Sequence, residues 1–156
     1  MNNVFFPEEQ VSENDLYFVC YMIERVARQL KQPNKYVVNN MGYNALSEKL
    51  SLANVLHALN PLDVCADWID VYDLQSGNYD VTNVNRELCA NVPSELQMGK
   101  VYTRLILSTM EKGEDYANAI LRVYNSPICG TLDNYNCSAY YEPSPYIARC
   151  YYAGGF

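Results

Sequence analysis

Apolar residues recur every three to four positions along most of this chain. Leu16, Val19, Cys20, Ile23, Val26, Ala27 and Leu30 follow the i, i+3, i+4, i+7 rhythm, which places them on one face of an α-helix. Ser12 and Asp15 precede the run as a capping box, with Asp where Glu or Gln is usual. Tyr17, Phe18, Tyr21 and Met22 widen the apolar face. The first half of this helix is therefore expected to be buried nearly all round, and Pro33 ends it.

The same signals repeat downstream. Asn34 is expected to cap a short helix carrying Val37, Val38 and Met41, closed by Gly42. A stretch from Asn44 to Leu59 places Leu46, Leu50, Ala53 and Leu56 on one side, and Ser51 is a candidate break that acts as a new cap. Asn60 and Pro61 restart a helix, with Asp63 in its first turn. Its expected core stripe is Leu62, Cys65, Ile69 and Tyr72, with Trp68 beside it, and Gly77 closes it. Ser94 and Gln97 form a capping box of the usual type. Met98, Val101, Tyr102, Leu105, Ile106 and Thr109 then share a face. Gly99 inside this helix costs about 1 kcal/mol relative to Ala, which points to a close helix crossing. Gly113 ends that helix, and Glu114 and Asp115 open another whose inner face is Tyr116, Ala119, Ile120, Val123 and Tyr124. Ser126-Pro127 and Ser144-Pro145 mark two more short helices, the last reaching Ala153.

These elements add up to an all-α fold, an irregular multi-helix bundle of about seven or eight helices. Residues 78–93 are rich in turn formers, with a brief alternation at Tyr79 and Val81 that leaves room for one short strand or hairpin. The 156 residues suit a single domain. The 78–93 loop is also the natural hinge if the chain divides into 1–77 and 94–156.

Composition narrows the function classes. Eighteen acids against eleven bases give a formal net charge of −7. The bases are scattered, the densest group being Arg25, Arg28 and Lys31 with Lys35 beyond. Nucleic-acid binding needs clustered phosphate contacts, so it is not expected; a basic protein partner suits the charge better. The longest apolar stretch, Leu16 to Ile23, is far short of the roughly 20 residues of a membrane span, and the first ten residues lack a basic leader pattern. The expectation is a cytoplasmic protein with no membrane contact. In that compartment the six cysteines read as reduced thiols. Cys129, Cys137 and Cys150 are crowded late in the chain, but no zinc spacing appears.

No catalytic motif or cofactor fingerprint is present, so no catalytic residue, metal or cofactor is assigned. His57 is the one histidine and lies in an apolar helical setting. Two features carry the remaining weight. Asp63, Asp67 and Asp70 share one helix face, as a solvated stripe or as a partner surface. The chain also holds fifteen tyrosines, crowded toward its end. Tyr140, Tyr141, Tyr146, Tyr151 and Tyr152, with Arg149, form a candidate binding surface; the structural alternative is a tail that wraps the bundle and fills gaps with phenols.

The runs Asp15 to Ala27 and Leu52 to His57 resemble an uncharacterised family of small helical bacterial proteins, a likeness that covers the N-terminal half. That resemblance carries no activity onto particular residues and implies a binding or regulatory role. The expected function is therefore a non-enzymatic protein-interaction or regulatory module, with homo-oligomerisation through the tail as one form of it. The alternative is a small-molecule binder or enzyme whose pocket is lined by the Tyr-rich C-terminal segment.

Overall fold

Four of the cap signals start helices through side-chain bonds. The Ser12 hydroxyl accepts the Asp15 N–H at 3.2 Å while the Asp15 carboxylate accepts the Ser12 N–H at 2.8 Å. The Ser94–Gln97 pair closes the same two-way bond at 3.0 and 3.1 Å. Asn60 and Asp115 cap two further helices through their side chains. A computed structural model describes residues 1–156. It contains α1 (Glu13–Leu30), α2 (Asn34–Leu56), α3 (Pro61–Val71), α4 (Glu95–Thr109), α5 (Tyr116–Tyr124), α6 (Cys129–Leu132) and α7 (Ser144–Ala153), with a 3-10 turn at Ala139–Tyr141. The fold is an all-α bundle without a sheet, and no helix is long and apolar enough to cross a membrane.

α1 is the spine. It packs chiefly on α4 and α2, and α3 lies against it as well. α2 carries α5, and α4 carries α7. The core is one cluster of buried side chains drawn from both sides of the 78–93 loop. Each fully buried Leu, Ile or Val in it contributes about 1.5–3 kcal/mol relative to exposure.

Two glycines fix the geometry. Gly99 faces α1 so closely that a Cβ there would lie 2.9 Å from the Tyr21 Cα, so the α1–α4 crossing leaves no room for a side chain. Gly42 sits within α2 at φ 78°, ψ 177°, a conformation open to glycine. It kinks α2 into the two helical arms the sequence suggests.

Several expectations need correction. Ser51 is not a cap. It is buried inside α2, where its carbonyl accepts from Asn3 Nδ2 at 2.8 Å and its hydroxyl accepts the Val4 N–H at 3.0 Å. It ties the N-terminal segment to the bundle. α3 is rotated from its expected stripe: Val64, Cys65 and Trp68 face inward, while Leu62 is 60% exposed. α3 also stops at Val71, well before Gly77. Gly77 instead lies against the end of α1 and donates its N–H to the Leu30 carbonyl at 2.8 Å. α4 ends at Thr109, before Gly113. The 78–93 segment forms no strand; the one β-bridge pairs Asn2 with Gln10.

Candidate functional site

Charged side chains rarely enter a core unpaired, yet this core holds two carboxyls. Glu24 and Asp133 are only 2% and 9% exposed. Glu24 rides the inner face of α1 one turn before Arg28, which lies 3.7 Å away. Arg28 also donates to the Pro93 carbonyl at 2.8 Å and the Tyr135 hydroxyl at 3.1 Å. That hydroxyl donates in turn to Glu24 at 3.3 Å. Arg28 and Tyr135 further meet as cation and ring, 5.6 Å apart.

Asp133 follows α6 directly. Its Oδ1 accepts the Tyr102 hydroxyl at 2.8 Å from α4. Tyr102 stacks on Tyr124 of α5, with ring centroids 4.3 Å apart and planes 14° from parallel. Glu24, Arg28, Tyr102, Tyr124, Asp133 and Tyr135 thus form one polar centre fed by α1, α4, α5 and the segment after α6.

Burial dominates its electrostatics. It raises the Asp133 carboxyl well above the usual carboxylate range, and the neighbouring Glu24 charge adds to the rise while Tyr102 and Arg28 oppose it. Burial raises Glu24 too, against the pull of Arg28. Burial works against the Arg28 charge, but Glu24, Tyr135 and Glu95 together hold its pKa above the ordinary value. Burial pushes the Cys20 thiol up to about 11 and raises Cys129 as well. Both thiols are thereby held away from the nucleophilic thiolate form.

One wall of this centre opens onto a cavity of about 510 Å³. Asn34, Lys35, Tyr79, Tyr124, Gly130 and Asp133 are among its lining residues. Two of them carry buried atoms without a hydrogen-bond partner, Asn34 Oδ1 and Tyr124 Oη. Asn34 is 5% exposed and Tyr124 2%. An unpaired buried polar atom costs about 1–3 kcal/mol; Arg28 Nε, Ser47 Oγ and Trp68 Nε1 are in the same state elsewhere in the core.

The residues singled out from the sequence lie elsewhere and do not converge. Asp63, Asp67 and Asp70 all face solvent, and no ion pair involves them. Tyr140 packs edge-on against Tyr135, 5.4 Å between centroids. Tyr141 and Tyr152 are exposed, at 75% and 69%. Arg149 lies over the exposed Tyr146 ring. Tyr151 is structural: its hydroxyl accepts from Arg122 at 2.7 Å. Tyr140 and Tyr141 do line a groove of about 380 Å³ between α4 and α7, beside Lys100 and Arg104. His57 is exposed at the end of α2. All six cysteines are free, and no cluster of His, Cys, Asp and Glu is arranged to hold a metal.

Sequence reasoning passed over the polar centre. Glu24 carried the available signal: it follows Ile23 on a helix whose apolar face is nearly closed, four residues before a base. Comparison with family models, curated proteins and solved structures finds no match to this chain.

Proposed function

We propose that this chain is a non-enzymatic binding protein whose ligand is a small polar molecule seated in the cavity between the start of α2, the end of α5 and α6. The observation that carries this reading is that Asn34, Tyr124 and Asp133, polar residues otherwise buried in the bundle, all line one cavity. Ligand pockets of about 300–1,000 Å³ with a few convergent polar groups are the usual form of such sites. The raised thiols of Cys20 and Cys129 favour binding over nucleophilic catalysis. Six free cysteines suit a reducing compartment, so we place the protein in the cytoplasm.

Gly130 supplies the test. It lines the cavity, and a Cβ there meets nothing within 4 Å. Gly130→Trp is therefore expected to obstruct the cavity from its lip. Equilibrium dialysis against a panel of amino acids, amines, sugars and nucleosides, read by mass spectrometry, is expected to show a compound retained by the natural chain and not by Gly130→Trp. Equal retention of every compound by both proteins contradicts the proposal.

A second reading keeps the protein-partner role. The exposed Tyr141 beside the Lys100–Arg104 groove favours it, since Tyr and Arg are common anchors of interfaces. The simplest partner is a second copy. Sedimentation velocity is then expected to show a dimer that Tyr141→Glu converts to monomer; a monomer at all concentrations contradicts self-association.

A further inference from the structure

Phe5 and Phe6 are exposed to water, yet the backbone beneath them is fixed. The buried Asn3 side chain accepts the N–H groups of both at 2.9 Å and donates to the Ser51 carbonyl of α2 at 2.8 Å. The Val11 N–H donates to the Met1 carbonyl at 2.9 Å and closes the base of the loop. At its tip the Glu9 N–H bonds the Phe6 carbonyl at 2.8 Å, with Pro7 at the second position of the turn. That turn carries Glu8 and Glu9, both exposed and in no ion pair. The loop therefore presents two phenyl rings followed by two carboxylates. Little ordering entropy remains to be lost when it binds.

The groove between α4 and α7 has the matching chemistry. Past Gln97, Tyr140 and Tyr141 it continues into a second hollow of about 330 Å³ formed with residues 88–93. Leu88 and Tyr141 are exposed walls of that hollow. On the α4 side, Lys100 and Arg104 are exposed one turn apart. Neither makes an ion pair, although Glu142 lines the same groove. The groove thus has an apolar half and a cationic half.

We propose that this groove takes the 4–9 loop of a second copy. Phe5 and Phe6 lie against Leu88 and Tyr141, and Glu8 and Glu9 face Lys100 and Arg104. This rests on the protein-partner reading and names its contact. The charges are opposite in sign, and neither pair is answered within its own chain. The loop is fastened to α2 and the groove lies on α4, with α1 packed against both, so a chain does not fill its own groove. Exposed ion pairs contribute little stability. The rings therefore supply most of the affinity, and the carboxylates set the register and exclude wrong partners.

Sedimentation velocity of the full chain over a concentration series tests this. The natural chain is expected to associate reversibly, and less at high salt. Glu8→Lys with Glu9→Lys, and separately Lys100→Glu with Arg104→Glu, are each expected to weaken self-association about tenfold or more, because like charges then face each other. An equimolar mixture of these two variants is expected to associate again, since every loop then meets a groove of opposite charge. Asp63→Lys with Asp67→Lys, on the competing acidic face of α3, is expected to change nothing. All the altered residues are exposed, and cooperative urea unfolding establishes that each variant is folded. A mixture that stays monomeric overturns the proposal, as does a loop variant that associates like the natural chain, or loss of association on altering α3. If Tyr141→Glu still disperses the natural dimer in those cases, the groove remains an interface and only its occupant is wrong. A natural chain that is monomeric at all concentrations removes both.

Discussion

Tyr102 and Asp133, 31 residues apart in sequence, meet inside the protein through a 2.8 Å hydrogen bond. The phenol donates a hydrogen bond to a carboxyl that burial would otherwise leave poorly solvated. Tyr102→Phe removes this donor and keeps the ring that stacks on Tyr124. We expect it to cost about 1–3 kcal/mol, the range for an abandoned buried polar group, measured by urea unfolding. A loss near zero would mean that water replaces the phenol freely.

The same carboxyl sets a pH dependence. Asp133 and Glu24 both have folded pKa values above their ordinary ones. Well below the ordinary carboxyl values of about 4 these groups are protonated in folded and unfolded chains alike, and no penalty applies. As pH rises, the unfolded chain releases these protons first, so the contribution to stability falls until the folded pKa is passed. Unfolding midpoints between pH 4 and 9 are expected to fall less with pH in Asp133→Asn than in the natural chain. Parallel profiles contradict the assignment.

Arg122 holds three elements together. Its guanidinium donates to both Glu114 oxygens at 2.7 and 2.8 Å, to the Thr109 carbonyl at 3.1 Å, and to the Tyr151 hydroxyl at 2.7 Å. Glu114, through this bond first, raises the Arg122 pKa. Lysine lacks the planar fork that such a pattern needs. Arg122→Lys is expected to destabilise measurably, and Arg122→Ala by about 2–4 kcal/mol, since each bond to a charged group contributes about 1.5–3. Loss of α7 protection in hydrogen exchange is the accompanying sign.

Gly99→Ala tests the helix crossing. A methyl group there meets the Tyr21 backbone at 2.9 Å. The helix-propensity gain of about 1 kcal/mol is expected to be outweighed by overpacking, typically 1–3 kcal/mol. A more stable variant in thermal unfolding would mean that α1 and α4 separate easily.

Local signals carried much of this fold. Ser12, Asn60, Ser94 and Asp115 act through neighbours within three residues, so adjacent residues in the chain suffice to place them. Gly99 was legible because a glycine inside a strong helix pattern needs a packing reason. The rotation of α3 was not, because Leu62 and Trp68 fit either face until α1 is docked. The polar centre is non-local: Glu24 and Tyr135 lie 111 residues apart. Nothing near Asp133 in sequence marks it as buried, whereas the tyrosines after it are conspicuous by their number.

Thiol chemistry offers an independent check on the interior. Burial holds Cys20 near a pKa of about 11, so it is expected to resist alkylation by iodoacetamide in the native state and to react on unfolding. Native labelling of Cys20 at the rate of a free thiol contradicts a closed centre.

The measurement closest to the central claim is a two-dimensional amide NMR titration of the natural chain with the tightest small ligand. The expected result is saturable shifts at Asn34, Lys35 and Gly130, the residues around the cavity mouth, all absent in Gly130→Trp. Shifts confined to Tyr140–Tyr152, or unaltered by Gly130→Trp, would place binding elsewhere and contradict the account.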